Sequence, residues 1–286
     1  MKRKPLELLL YRYPQLGLPP KKEMAMGKEY IDIVRKGNLP ETLVNPFQMS
    51  KEDQYDLMET PAGPVEVFFL KCRNDFERTV KILAYRGEKE EIPSTMGAVT
   101  IWGINDWRKI NAHKNQYFEQ GGKNWTKEFS EFTKVKQNYQ DVLILVSEGD
   151  YSALPAEKTK FADCEWKQFS RIIRTYHELT HIVSRKLFPE HKNVLRDEIL
   201  ADCIGLTKAL GEYDRKLALD FLGIKEDGKY IGGRLENYLP KDAEPAKLAV
   251  LVRDRIVELE QALSHAPKEP FERLIYLEEN NIIYKR

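Results

Sequence analysis

Phe169, Ile172, Ile173, Tyr176, Thr180, Val183 and Leu187 recur at spacings of three and four, and they form one unbroken apolar stripe over residues 165–187. That period belongs to an α-helix with one face in a core. The stripe closes at Phe188-Pro189, since the residue before a proline avoids the helical region. A long helix over 165–187 is the fixed point around which the rest of the chain has to arrange itself. A second helical pattern covers 195–210, with Gly211 as its natural stop. Further helices are expected over 214–222, 246–264 and 270–279.

The chain upstream is different. Pro64-Val65-Glu66-Val67-Phe68-Phe69-Leu70 is rich in β-branched and aromatic residues and predicts a strand. Phe76, Val80 and Leu83 then repeat at helical spacing over 74–85. Strands are expected again over 98–104 and 141–147. Between them, 107–139 holds aromatics at irregular spacing; ordinary core and loop packing is expected there rather than an aromatic-lined sugar or base site. Residues 1–60 are rich in proline and polar side chains. They are expected to form an irregular N-terminal arm with one helix near 21–35. A small sheet followed by a mainly helical C-terminal half predicts an α+β fold, with the domain proper over 61–286.

Composition narrows the function. In 286 residues, hydrophobic side chains make up 42% and charged ones 32%, as in an ordinary globular protein. A net charge of +1 argues against a dedicated nucleic-acid binder. The cysteines, Cys72, Cys164 and Cys203, form no CxxC pair and predict a reducing compartment, each as a small buried side chain. The N-terminal MKRKPLELLLYR has basic residues and a short apolar patch, but Glu7 interrupts the patch and Arg12 follows it. This is too short for a secretory signal. No apolar run approaches the ~20 residues that cross a bilayer. The expected location is the cytoplasm, with no membrane partner.

The chemistry lies on the long helix. His177-Glu178-Leu179-Thr180-His181 fits H-E-x-x-H. Residues four apart on a helix differ by about 40° around its axis, so both imidazoles reach one point. Glu178 lies about 100° from His177 and can reach a water on that point without being a ligand. With 5 histidines in the chain, the pattern arises by chance in roughly one such sequence in a hundred.

A catalytic zinc needs a third protein ligand and one open position. Glu198 follows His181 by 17 residues (198 − 181), room for a turn and a returning helix. Asp202, four residues later, shares its face and is placed to fix the tautomer of a ligand histidine. Ala201 and Gly205 are small and would let this helix approach the first closely. Asp197 is the close competitor of Glu198, pointing about 100° away.

HELTH followed by DEILAD resembles the gluzincin group of zinc metallopeptidases, the thermolysin-like clan, over residues 174–205. The resemblance implies a zincin-like fold and one zinc ion held by His177, His181 and Glu198. It implies Glu178 as general base and Asp202 as the partner of a ligand histidine. In that group an edge strand before the active-site helix binds extended peptide. Residues 141–147 or 148–154 are the candidates here, unless 141–147 is a buried strand and 148–154 its loop.

The developing oxyanion also needs a donor. The segment Tyr230-Ile231-Gly232-Gly233-Arg234-Leu235-Glu236-Asn237-Tyr238 offers Tyr230, Arg234 and Tyr238 beside paired glycines that allow a tight loop near a ligand. His265 is the other option, while His113 and His191 are expected at the surface. The predicted activity is hydrolysis of a peptide or protein substrate, water attacking the carbonyl carbon as Glu178 takes its proton. The alternatives are a non-catalytic metal-containing sensor or partner-binding module, and a hydrolase of a non-peptide amide or ester.

Overall fold

The computed structural model describes residues 3–40, 43–88, 91–240 and 242–283. The chain divides into two compact units. The first comprises Met1–Leu57 and Glu66–Ser147, the second Met58–Val65 and Glu148–Arg286. The architecture is α+β, with one mixed sheet and, among the described residues, ten α-helices.

The first unit holds the sheet. Its strands β1 (Gln54–Met58), β2 (Val65–Leu70), β3 (Ala98–Asn105) and β4 (Gln140–Ser147) lie in the order β1-β2-β4-β3. β2 runs parallel to β4, with Phe68 opposite Leu145, and β3 runs antiparallel to β4. The core includes Phe68, Leu70, Leu143 and Leu145 from alternate positions of β2 and β4, as the period of two requires. Against them pack Phe76 and Val80 of α3 (Arg73–Leu83).

The N-terminal arm is helical at α1 (Pro5–Arg12) and α2 (Lys28–Lys36) and contributes to this core through Leu6, Leu9, Tyr13 and Leu16, all fully buried. Arg12 bridges Glu66 and Asp141, and the Tyr13 hydroxyl donates to Asp141 at 2.5 Å. The irregular stretch 107–139 contains two short helices, α4 (Trp107–Glu119) and α5 (Trp125–Phe132). Its aromatics pack on one another, His113 stacking on Phe132 with centroids 4.1 Å apart.

The position of β4 decides between the two readings of residues 141–147. It is paired on both sides, so residues 141–147 form an interior strand with no edge to offer a peptide. The outer strands are β1 and β3.

The second unit is helical. The expected long helix is α6 (Asp163–Leu187), followed by α7 (Val194–Leu210), α8 (Arg215–Leu222), α9 (Pro245–Ala262) and α10 (Pro270–Glu279). Asn193 caps α7 by accepting from the Arg196 N–H at 3.0 Å, and Gly211 ends it in the left-handed region at φ 80°. Trp166, Ile173, Val183, Leu200, Ile204 and Leu206 lie in one core. No described helix is long and apolar enough to cross a membrane. All three cysteines are free. Cys203 is buried as expected, but Cys72 is half-buried and Cys164 exposed.

Candidate metal centre

The site is built on α6 and α7, which pack closely against each other. Gly205 faces the α6 backbone, and a Cβ there would lie 2.8 Å from the Ile173 carbonyl oxygen. Only glycine permits that spacing, and Ala201, fully buried one turn earlier, extends the contact. The small residues of α7 thus bring its carboxylates up to the histidines of α6.

His177, His181 and Glu198 converge, each offering one ligand atom within 4.8 Å of the others. The two Nε2 atoms are 3.0 Å apart. Glu198 Oε2 is 3.4 Å from His177 Nε2, and Oε1 is 3.6 Å from His181 Nε2. Donor atoms about 2.0–2.1 Å from a shared ion in tetrahedral array sit about 3.3–3.4 Å from one another. Two imidazole nitrogens and a carboxylate are also a donor set suited to zinc, so type and spacing both fit such an ion.

Each histidine is oriented from behind. His177 Nδ1 lies 3.0 Å from Asp202 Oδ1 and 2.9 Å from the Tyr151 hydroxyl, which itself donates to Asp202 at 2.5 Å. His181 Nδ1 lies 2.8 Å from Asp197 Oδ2. With both Nδ1 atoms held by these partners, both Nε2 atoms turn towards Glu198. Asp197, weighed from sequence as a rival ligand, is the partner that orients His181. Glu178 sits half-buried on α6 beside His177.

The electrostatics favour a cation. Burial opposes charge on His177, but hydrogen bonds to Asp202 and Glu198 outweigh it and push the imidazole up to about 10. Burial likewise opposes charge on Glu198, yet His177 and His181 hold its carboxyl down at about 2. Asp202 is also buried, and Arg234 and His177 keep it well below the usual carboxylate range.

Tyr151 is the member of the site that sequence reasoning missed. Its segment, expected as a strand or loop over 148–154, is a loop pinned at several points. Arg174, one turn before His177, donates to the carbonyls of Gly149 and Asp150 at 2.7 and 2.8 Å. The Tyr151 N–H donates to Ser170 Oγ at 2.9 Å, and Ser152 Oγ donates to the Phe221 carbonyl at 3.0 Å. Ser152 and Ala153 take left-handed backbone at φ 56° and 54°, a strain that the pinning sustains. No pattern in Gly149-Asp150-Tyr151 marks this role, because the partners come from α6 and α7.

The segment after α8 sorts the expected oxyanion donors. Tyr230 is kept within its own loop. Its hydroxyl lies 3.0 Å from the Gly233 carbonyl and 3.2 Å from Glu236 Oε2, and it accepts from the Gly233 N–H at 3.0 Å. Arg234 donates to the Tyr151 hydroxyl at 3.0 Å and pairs with Asp202 Oδ2, so it braces the carboxylate behind His177. Tyr238 lies near Glu198, whose charge adds to burial in holding the tyrosine hydroxyl well above its ordinary range. Of the paired glycines, Gly233 packs against backbone, where a Cβ would lie 2.5 Å from the Gly223 nitrogen, while a Cβ on Gly232 would meet open space.

The remaining histidines lie elsewhere. His265 is exposed and bonded to Ser264 at 2.8 Å. His191 is tied to the buried Glu278 at 2.9 Å, and Arg196 pairs with the same carboxylate. This corrects the surface expectation for His191.

No curated protein and no solved structure matches the chain. Residues 2–276, nearly the whole length, match DUF7005, a family of unknown function, and the chain belongs to that family.

Proposed function

We propose that the second unit is a zincin-like metallohydrolase of gluzincin type that cleaves peptide bonds with one zinc ion. The observation that carries this reading is the convergence of His177 Nε2, His181 Nε2 and the Glu198 carboxylate, with Glu178 next to His177 along α6. A structural site uses its ligands alone, whereas this helix adds a carboxylate that is not one of the three. A bound zinc would supply Lewis-acid polarisation of the scissile carbonyl and would make water acidic enough to deprotonate near neutral pH.

The side chains divide the remaining work. His177, His181 and Glu198 hold the ion. Asp202, Tyr151 and Asp197 keep the imidazoles turned so that Nε2 faces it. Glu178 takes the proton of the attacking water and returns it to the leaving amine. Tyr238, beside Glu198, is the donor we assign to the developing oxyanion, and Arg234 acts through Asp202.

The test joins two measurements on the full chain: metal content by elemental analysis, and cleavage of a diverse peptide mixture followed by mass spectrometry. One zinc per chain with chelator-sensitive peptide cleavage is expected. A chain that binds no zinc would overturn the proposal.

A further inference from the structure

We propose that the first unit carries a second, separate binding site, for a small molecule bearing a phosphate or carboxylate group, in the cavity between Tyr30, Arg35, Arg86 and the outer strand β3. The cavity measures about 430 Å³ and is lined by these residues together with Gln15, Trp102, Gly103 and Asn105. That volume falls in the range of small-molecule sites.

Its lining contains arginines and no acidic side chain. Arg35 and Arg86 have no hydrogen bond or ion pair among the described residues, whereas Arg12, Arg73 and Arg108 of the same unit are each held by carboxylates. Both guanidiniums line one hollow without a carboxylate partner, and an oxyanion would supply one. Their planar forks match the oxygens of a carboxylate or phosphate.

Tyr30 and Gln15 add polar groups to the lining. They are only 7% and 5% exposed. Among the described residues neither side chain has a hydrogen-bond partner, and their polar atoms stay open to solvent. Burial raises the Tyr30 hydroxyl, against the pull of Arg86 and Arg35, so it stays protonated as a donor. All three groups line the same cavity.

The backbone is shaped for the same place. Arg86 takes left-handed geometry at φ 56°, unusual for a side chain of its size. On β3 the register with β4 shifts between Trp102 and Ile104, and Gly103 forms the bulge at φ 71°. Bulges of this kind re-aim side chains at sites. Trp102, 37% exposed, leaves an apolar ring for the body of the ligand.

The test uses the full chain stripped of metal by chelator, so that the second unit's metal site cannot take up the anion. Inorganic phosphate and citrate are titrated separately by calorimetry into the wild type, Arg35→Gln, Arg86→Gln and Tyr30→Phe. Both arginines are exposed, so their replacement leaves the fold intact. Saturable binding of at least one probe is expected, weakened at least tenfold, about 1.4 kcal/mol, by each arginine substitution and less by Tyr30→Phe. Tighter binding of phosphate assigns a phosphorylated ligand, and tighter binding of citrate a polycarboxylate. Binding of neither probe in the millimolar range, or binding unchanged in both arginine variants, would overturn the site.

Discussion

The Nε2 atoms of His177 and His181 face each other across 3.0 Å, while their Nδ1 atoms rest on different carboxylates, Asp202 and Asp197. Two neutral imidazoles in that pose would direct lone pairs at one another. A cation between them, or a proton on one of them, is what the geometry calls for. The carboxylates behind make either acceptable, and the two occupants compete.

That competition gives a pH dependence with a definite sign. His177 is raised from 6.5 to about 10 in the metal-free fold. Its contribution to metal-free stability is therefore fully present below pH 6.5 and is lost as pH rises towards about 10. Zinc requires the neutral ring, so uptake near pH 7 should release about one proton, and apparent affinity should rise about tenfold per pH unit. Calorimetry in buffers of different ionisation enthalpy reads the proton directly. An affinity that stays flat between neutral and mildly alkaline pH would contradict this account of His177.

The three carboxylates of α7 should separate by role. Glu198→Gln removes a ligand and should weaken zinc most. Asp197→Asn and Asp202→Asn remove orienting partners, and each should cost about 10–100-fold in affinity. Tyr151→Phe deletes the hydroxyl shared by His177, Asp202 and Arg234, and should destabilise the fold by about 1–3 kcal/mol. Competition against a chelator of known affinity gives the ranking. Asp197→Asn weakening zinc as much as Glu198→Gln would mean that the wrong carboxylate holds the metal.

Gly205 tests the helix pair that carries these groups. Gly205→Ala introduces a Cβ 2.8 Å from the Ile173 carbonyl oxygen, and backbone cannot swing aside as a flexible side chain would. Overpacking of this kind costs about 1–3 kcal/mol. The midpoint of thermal unfolding should fall, and zinc affinity should fall with it as Glu198 moves off the histidines. Unchanged melting and unchanged affinity would show that the approach of α6 and α7 does not depend on this glycine.

The parts of the site legible in the sequence are those whose geometry is local. His177 and His181 are one helical turn apart, so their convergence follows from helix pitch alone. Glu198 and Asp202 share a face of α7 for the same reason, and the small residues at 201 and 205 signal a close neighbour. Strands β2, β3 and β4 and helices α6 to α10 likewise follow from periodicity. What stayed hidden depends on contacts between distant segments. Tyr151 meets His177 and Asp202 only because Arg174 and Ser170 pin its loop. Asp197 falls on the correct side of α7 to meet His181 only once the two helices have docked. Helices α4 and α5 were obscured because their aromatics pack on each other, leaving no single apolar stripe. The interior place of β4 is set by pairing that a strand's own residues do not encode.

Glu178 separates an enzyme from a metal-holding module. It stands beside His177 on α6 and is not among the converging ligands. Glu178→Gln keeps the size of the side chain and removes its capacity to accept a proton. Zinc content and thermal stability should stay near those of the wild type, because the three ligands are untouched. Turnover should be lost, since general-base catalysis typically supplies 10²–10⁴-fold and the carboxylate also returns the proton to the leaving amine. The assay compares wild type and variant, both with measured zinc, against the same peptide mixture. Cleavage that persists in the zinc-loaded variant would remove Glu178 from the mechanism. Loss of zinc from the variant would instead make Glu178 part of the metal's own support, and the division of roles proposed for α6 would fall.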